Sequence, residues 1–186
     1  MSNVVERRAA IELRAEGDGK RPRLVGHAAV FNVLSQDLGG FVEIVRPGAF
    51  TRTLKSDRDP LALVQHMPQL VLGRRSANTL RLSEDIKGLA FEIDVPDTTA
   101  ARDLLVSVER GDVKGASFAF STPAGGDRWE MRGDHAIREL IDVDLYEITI
   151  TAQPAYLDTA VARRSFELKF APTPRLRSLR RFLETV

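Results

Sequence analysis

Three side chains of this sequence have the types and settings from which a nucleophilic centre can be built: Ser117, His66 and Glu147. Ser117 lies in the stretch Gly111 to Phe120, GDVKGASFAF. From Val113 onward the pattern alternates, placing Phe118 and Phe120 on one face of a strand and Gly115, Ser117 and Ala119 on the other. The two rings anchor the strand, and the small residues are expected to leave the hydroxyl accessible to the backbone of an extended peptide. His66 ends a short, almost wholly apolar run, Leu61 to Gln65, and is followed by residues that read as loop. In a long strand over Ile137 to Thr149, Ile141, Val143 and Leu145 form an apolar row that Glu147 continues, while Asp142 and Asp144 fall on the opposite face. A carboxylate in such a row costs on the order of several kcal/mol unless it is paired, so an imidazole or an arginine is expected beside it.

If the three meet, Ser117 attacks a carbonyl carbon, His66 takes its proton and returns it to the leaving group, and Glu147 orients the ring and stabilises the imidazolium. The oxyanion needs two preorganised donors, which backbone amides or Arg74 could supply. The plainer alternatives are a serine on a half-buried strand and a structural histidine at a strand end. GASFA also fits a loose nucleophile elbow, but that motif runs from strand into helix, whereas here a helix precedes the serine and a strand carries it. His27, His66 and His135 share no ligand spacing, so no metal site is predicted and no cofactor is implied.

The elements that must position these groups follow from the rest of the chain. At 186 residues, 43% of them hydrophobic and 28% charged, one globular domain is expected, spanning residues 1–163, with a tail over 164–186. Without cysteine there is no disulfide and no thiolate nucleophile, so serine or threonine must serve. The opening MSNVVERRAA lacks the apolar core of a signal peptide and no long apolar run occurs, so the expectation is a soluble protein not exported by that route. A net charge of +1 supplies no global attraction to nucleic acid.

Ile11 to Phe31 reads as a hairpin around Gly17-Asp18-Gly19, Phe41 to Val45 as a strand, Ala49 to Leu54 as a helical turn or two, and Thr79 to Val95 as a second hairpin. Ala101, Leu104, Leu105 and Val108 recur at helical spacing after Asp97 or Thr98 as cap, and Gly111 stops that helix. The Gly125-Gly126 turn and Arg128 to Met131 suggest another hairpin, and Ala160 to Ala162 a last short strand. The pattern predicts a mixed, mainly antiparallel β domain, closed or partly closed into a barrel, with few surrounding helices. Beyond Arg163, Leu176, Leu179, Leu183 and Val186 sit among arginines at near-helical spacing, predicting a short basic amphipathic helix that docks on its own domain, contacts a partner or is removed by proteolysis.

The ordered segments GHAAVF, LGGFVEIVRPGAF, VQHMPQLVLGR, TLRLSEDIKGLAFEIDVPDT, ARDLL, RGDVKGASFAF and LYEITITAQPAY closely resemble the prohead (procapsid maturation) proteases of tailed bacteriophages, over roughly Leu24 to Arg163. That family is similar in fold to the herpesvirus assemblins, serine proteases built on a β-barrel. The resemblance implies His66 as base, Ser117 as nucleophile and Glu147, from the LYE segment, as the third member. The sequence departs from the usual pattern at Met67, where an acidic residue is more common, and at Thr149, where serine is. What the resemblance implies further is an endopeptidase inside the assembling prohead, in the cytoplasm of the bacterial host. It would cut the scaffold or the scaffolding segment of the major capsid protein and then itself, with dimerisation or assembly as its switch.

Two other functions compete with this one. One is a non-catalytic capsid-assembly protein of the same fold, in which the three residues only pack. The other is a nucleic-acid-binding barrel, which would need aromatic side chains on a basic face, whereas Trp129 and the two tyrosines are scattered.

Overall fold

The computed structural model describes residues 5–10, 13–17, 22–132 and 135–152. The strand expected over Ala160 to Ala162 and the basic helix beyond it lie outside these residues. The strands are β1 (Glu6–Ala10), β2 (Leu13–Glu16), β3 (Arg23–Val30), β4 (Phe41–Val45), β5 (Leu61–Val64), β6 (Met67–Arg74), β7 (Leu80–Glu84), β8 (Gly88–Asp94), β9 (Gly115–Ser121), β10 (Asp127–Arg132), β11 (His135–Leu140) and β12 (Asp144–Thr151). The helices are α1 (Thr51–Lys55) and α2 (Thr99–Glu109).

The predicted barrel is not what these strands build. They form three open sheets, ordered β1-β9-β12-β5-β6, β2-β3-β8-β7 and β10-β11-β4, and none closes on itself. The physical reason lies in two non-local parallel pairings, β12 with β5 and β11 with β4, which a reading based on hairpins cannot supply. The other pairings are antiparallel.

The single long strand expected over Ile137 to Thr149 is two strands in different sheets. Gly126 O accepts from Ile141 N at 2.9 Å and from Asp142 N at 3.0 Å, which turns the chain between β11 and β12. A Cβ on Gly126 would stand 2.3 Å from Asp142 O, so only glycine permits this contact. β9 and β10 likewise belong to different sheets, and β10 pairs with β11 instead.

Helix α2 follows its sequence signals. Thr98 Oγ1 accepts from Ala101 N at 3.3 Å, Ala101, Leu104 and Val108 are buried, and Gly111 beyond the helix end has φ +79°. Its buried face joins a core that includes Phe31, Phe50, Phe91, Phe118, Phe120, Leu145, Ile148 and Ile150. Phe118 lies 5.3 Å edge-on to Phe50 and 5.2 Å from Phe120, and burial of each such ring stabilises the sheet by about 1.5–3 kcal/mol. Those rings fix the inner face of β9 and leave Gly115, Ser117 and Ala119 on the outer one.

A buried ionic cluster ties β1 to the three-stranded sheet. Arg8 Nε donates to Glu43 Oε1 at 2.6 Å and Arg8 Nη2 to Glu6 Oε2 at 2.9 Å. Arg138 Nη1 donates to the Glu6 oxygens at 2.8 and 2.6 Å and to Glu43 Oε2 at 3.2 Å. Burial opposes the charge on both guanidiniums, but Glu6 and Glu43 outweigh it and hold both above the ordinary arginine value. Because β1 pairs with β9, with Ala9 opposite Ser117, the cluster also pins the flank of the strand that carries the serine.

Candidate active site

His66 occupies a turn that the sequence does not advertise. The residues after it, read as loop, form β6, an edge strand that pairs only with β5 among the described residues. Pro68 disguises it in the sequence, and an edge position tolerates the missing N–H. Val64 pairs with Met67, so Gln65 and His66 are the two central residues of a tight hairpin loop. Their φ values are +52° and +58°, as a type I′ turn requires. Neither is glycine or asparagine, and such conformations cost on the order of 1–3 kcal/mol each unless the surroundings impose them.

The surroundings do so through β12. Gln65 N donates to Ile150 O at 3.0 Å, His66 N donates to Thr149 Oγ1 at 2.9 Å, and Thr151 Oγ1 donates to Gln65 Oε1 at 2.8 Å. The imidazole thus projects over the outer face of the five-stranded sheet. His66 Nδ1 lies 2.6 Å from Glu147 Oε1, and Nε2 lies 2.8 Å from Ser117 Oγ. With Nδ1 protonated and donating to the carboxylate, Nε2 is left to accept from the hydroxyl. Serine, imidazole and carboxylate therefore form one hydrogen-bonded chain.

Glu147 arrives by a different route from the one its sequence position suggests. β12 opposes Phe120 with Leu145 and Ala119 with Glu147, so Tyr146 is an extra residue at a bulge. Beyond it the core row is Ile148 and Ile150, and Glu147, Thr149 and Thr151 face outward with Ser117. The carboxylate is thus not a continuation of the Val143 and Leu145 row. Its side chain is 17% exposed and that of His66 23%. Ser117, in contrast, is 0% exposed, so the accessible hydroxyl expected from its small neighbours is covered in this structure.

Arg74 is engaged away from this chain. Its guanidinium pairs with Asp59, which also accepts from Ser76 N at 2.8 Å and Ser76 Oγ at 2.9 Å. His27 pairs with Asp85 at 2.8 Å on the four-stranded sheet. The side chain of His135 lies outside the description. Among the described residues, no group of three His, Cys, Asp or Glu could hold a metal ion. No helix among them is long and apolar enough to cross a membrane.

Gln65 went unnoticed in the sequence, and Thr149, noted there only as a departure from the family pattern, was given no role in the site. The available signal was a small polar residue two positions after the acid, on a strand face that also carries the acid.

A hydroxyl, an imidazole and a carboxylate linked in this order on a sheet is the arrangement by which serine hydrolases activate a serine. The profile of the caudovirus prohead serine proteases matches residues 9–172, and the chain belongs to that family. The prohead protease of Enterobacteria phage HK97 is 33% identical to it over 113 residues. That stretch covers 59% of this chain and 47% of the HK97 protein, so the match spans about half the relative's length. No solved structure matches the chain, and the kinship with assemblins gains no support from these comparisons.

Proposed function

We propose that this chain is a serine endopeptidase of phage capsid maturation, with Ser117 as nucleophile, His66 as general base and acid, and Glu147 as the group that orients the ring. The observation that carries the reading is the continuous hydrogen bonding from Ser117 Oγ through His66 to Glu147 in a member of the prohead protease family. Ser117 Oγ attacks the scissile carbonyl while its proton passes to His66 Nε2, giving a tetrahedral oxyanion and an imidazolium paired with Glu147. Collapse of that intermediate breaks the C–N bond, and the imidazolium protonates the departing amine. Water then attacks the acyl ester while giving its proton to Nε2, and as the C–O bond to Ser117 breaks the imidazolium returns that proton to Oγ, releasing the carboxylic acid and the free serine.

The substrates of this reading are the scaffold or the scaffolding segment of the major capsid protein, and then the chain itself, inside the assembling prohead. Burial of Ser117 fits an enzyme held silent until dimerisation or assembly exposes the serine. The same burial favours a second reading, a non-catalytic assembly protein of this fold. Incubation with the major capsid protein under assembly conditions, read by intact mass, separates the two. New capsid-protein fragments with the natural chain and none with Ser117→Ala support the protease; intact substrate in both supports the assembly protein.

A further inference from the structure

We propose that Thr149 is a positioning residue for His66, acting on the main chain of the turn while Glu147 acts on the ring. The inference rests on the proteolytic reading above. Thr149 stands on β12 directly opposite Ser117, two residues after Glu147 on the same outward face, and it is fully buried. Its hydroxyl has one proton, which it donates to Leu63 O at 3.0 Å. That bond fixes the orientation of Oγ1, leaving a lone pair to accept from His66 N at 2.9 Å.

The two contacts bridge both sides of the β5–β6 hairpin's approach to the turn: Leu63 precedes it and His66 ends it. A residue with φ +58° does not stay there by its own preference, so the amide bond to Thr149 selects the conformation in which the imidazole reaches Ser117. One strand face therefore holds the base at two points, its ring nitrogen through Glu147 and its backbone nitrogen through Thr149.

Replacing threonine by valine keeps the shape and removes the acceptor, whereas serine keeps the acceptor and removes a methyl group. Thr149→Val is expected to lower kcat by on the order of a hundredfold with KM within about twofold, because the ring is misplaced while substrate contacts persist. Thr149→Ser is expected to restore kcat to within about threefold of the natural protein. A valine variant as fast as the natural protein, or a serine variant as slow as the valine one, overturns the proposal.

A second readout does not need activity. The downfield proton resonance of His66 Nδ1–H, bound to Glu147, should shift or broaden in Thr149→Val and persist in Thr149→Ser. An unchanged resonance in the valine variant also overturns the proposal. If the natural chain cleaves nothing while this resonance responds as stated, the proteolytic reading fails and the positioning of His66 by Thr149 stands.

Discussion

Leu145 and Glu147 are two residues apart on one strand, yet they face opposite sides of the same sheet, because Tyr146 bulges between them. Leu145 packs in the core and Glu147 meets the imidazole of His66. The bulge converts a row that would bury a carboxylate among aliphatic groups into one that delivers it to a base.

The first expectation separates the roles of the two partners. His66→Ala should lower kcat by about 10⁵-fold or more, since hydroxyl and base act as a unit, whereas Glu147→Gln should cost roughly 10⁴-fold and leave measurable turnover. His27→Ala, on the four-stranded sheet, should retain activity. Steady-state cleavage of a capsid-protein peptide checks all three; a His27 variant as inactive as the His66 variant contradicts the assignment.

A second concerns the buried cluster that pins β1. Arg138→Leu leaves Glu6 and Glu43 with one guanidinium between them in a dry setting, and removing one partner from such a group typically costs about 3–5 kcal/mol. The urea midpoint should fall accordingly with little change in slope. A loss under about 1 kcal/mol, the scale of an exposed pair, would show that the cluster contributes no more than a surface bridge.

A third concerns acid. Hydrogen bonds from Arg81 hold Glu92 and Asp94 below their ordinary values of 4.5 and 3.8, and the Ser76 amide heads the groups that do so for Asp59. The folded state thus binds fewer protons than the unfolded one in this range. The contribution is complete above the ordinary carboxylate values and is lost as pH falls through the lowered ones. The melting temperature should stay level from neutrality to about pH 5 and decline below it. Arg81→Ala should flatten the decline, modestly and less at high salt, because these groups are exposed. An unchanged acid limb in that variant contradicts the account.

A fourth concerns the chain itself as substrate. Pro172 and Pro174 disfavour helix at the residues before them, and an extended peptide is what a protease binds. Active enzyme should lose a fragment from the C-terminal side of about Arg163, and Ser117→Ala should keep it. Equal intact masses after prolonged incubation at high concentration would exclude the tail as a substrate.

How far the site could be read in advance depended on how local its causes are. Alternation in GASFAF is a matter of neighbouring residues, so the small outward row bearing Ser117 and the inward phenylalanines were legible. The turn holding His66 was not, because Gln65 and His66 lack the glycine or asparagine that marks a type I′ loop and its positive φ values are imposed by Thr149 and Ile150 across the sheet. Glu147 was singled out on a count of alternation that the bulge at Tyr146 invalidates; the LYE segment carried the assignment independently. Open sheets in place of a barrel follow from parallel pairing of β12 with β5 and β11 with β4, which no local pattern encodes.

The most direct measurement of the central claim is the site of reaction with a serine-directed phosphonate, mapped by peptide mass analysis on protein incubated under assembly conditions. The account expects one phosphonyl group on Ser117, loss of capsid-protein cleavage in step with its attachment, and no adduct in Ser117→Ala or His66→Ala. An adduct on another residue that abolishes cleavage, or cleavage by Ser117→Ala within tenfold of the natural rate, would contradict it.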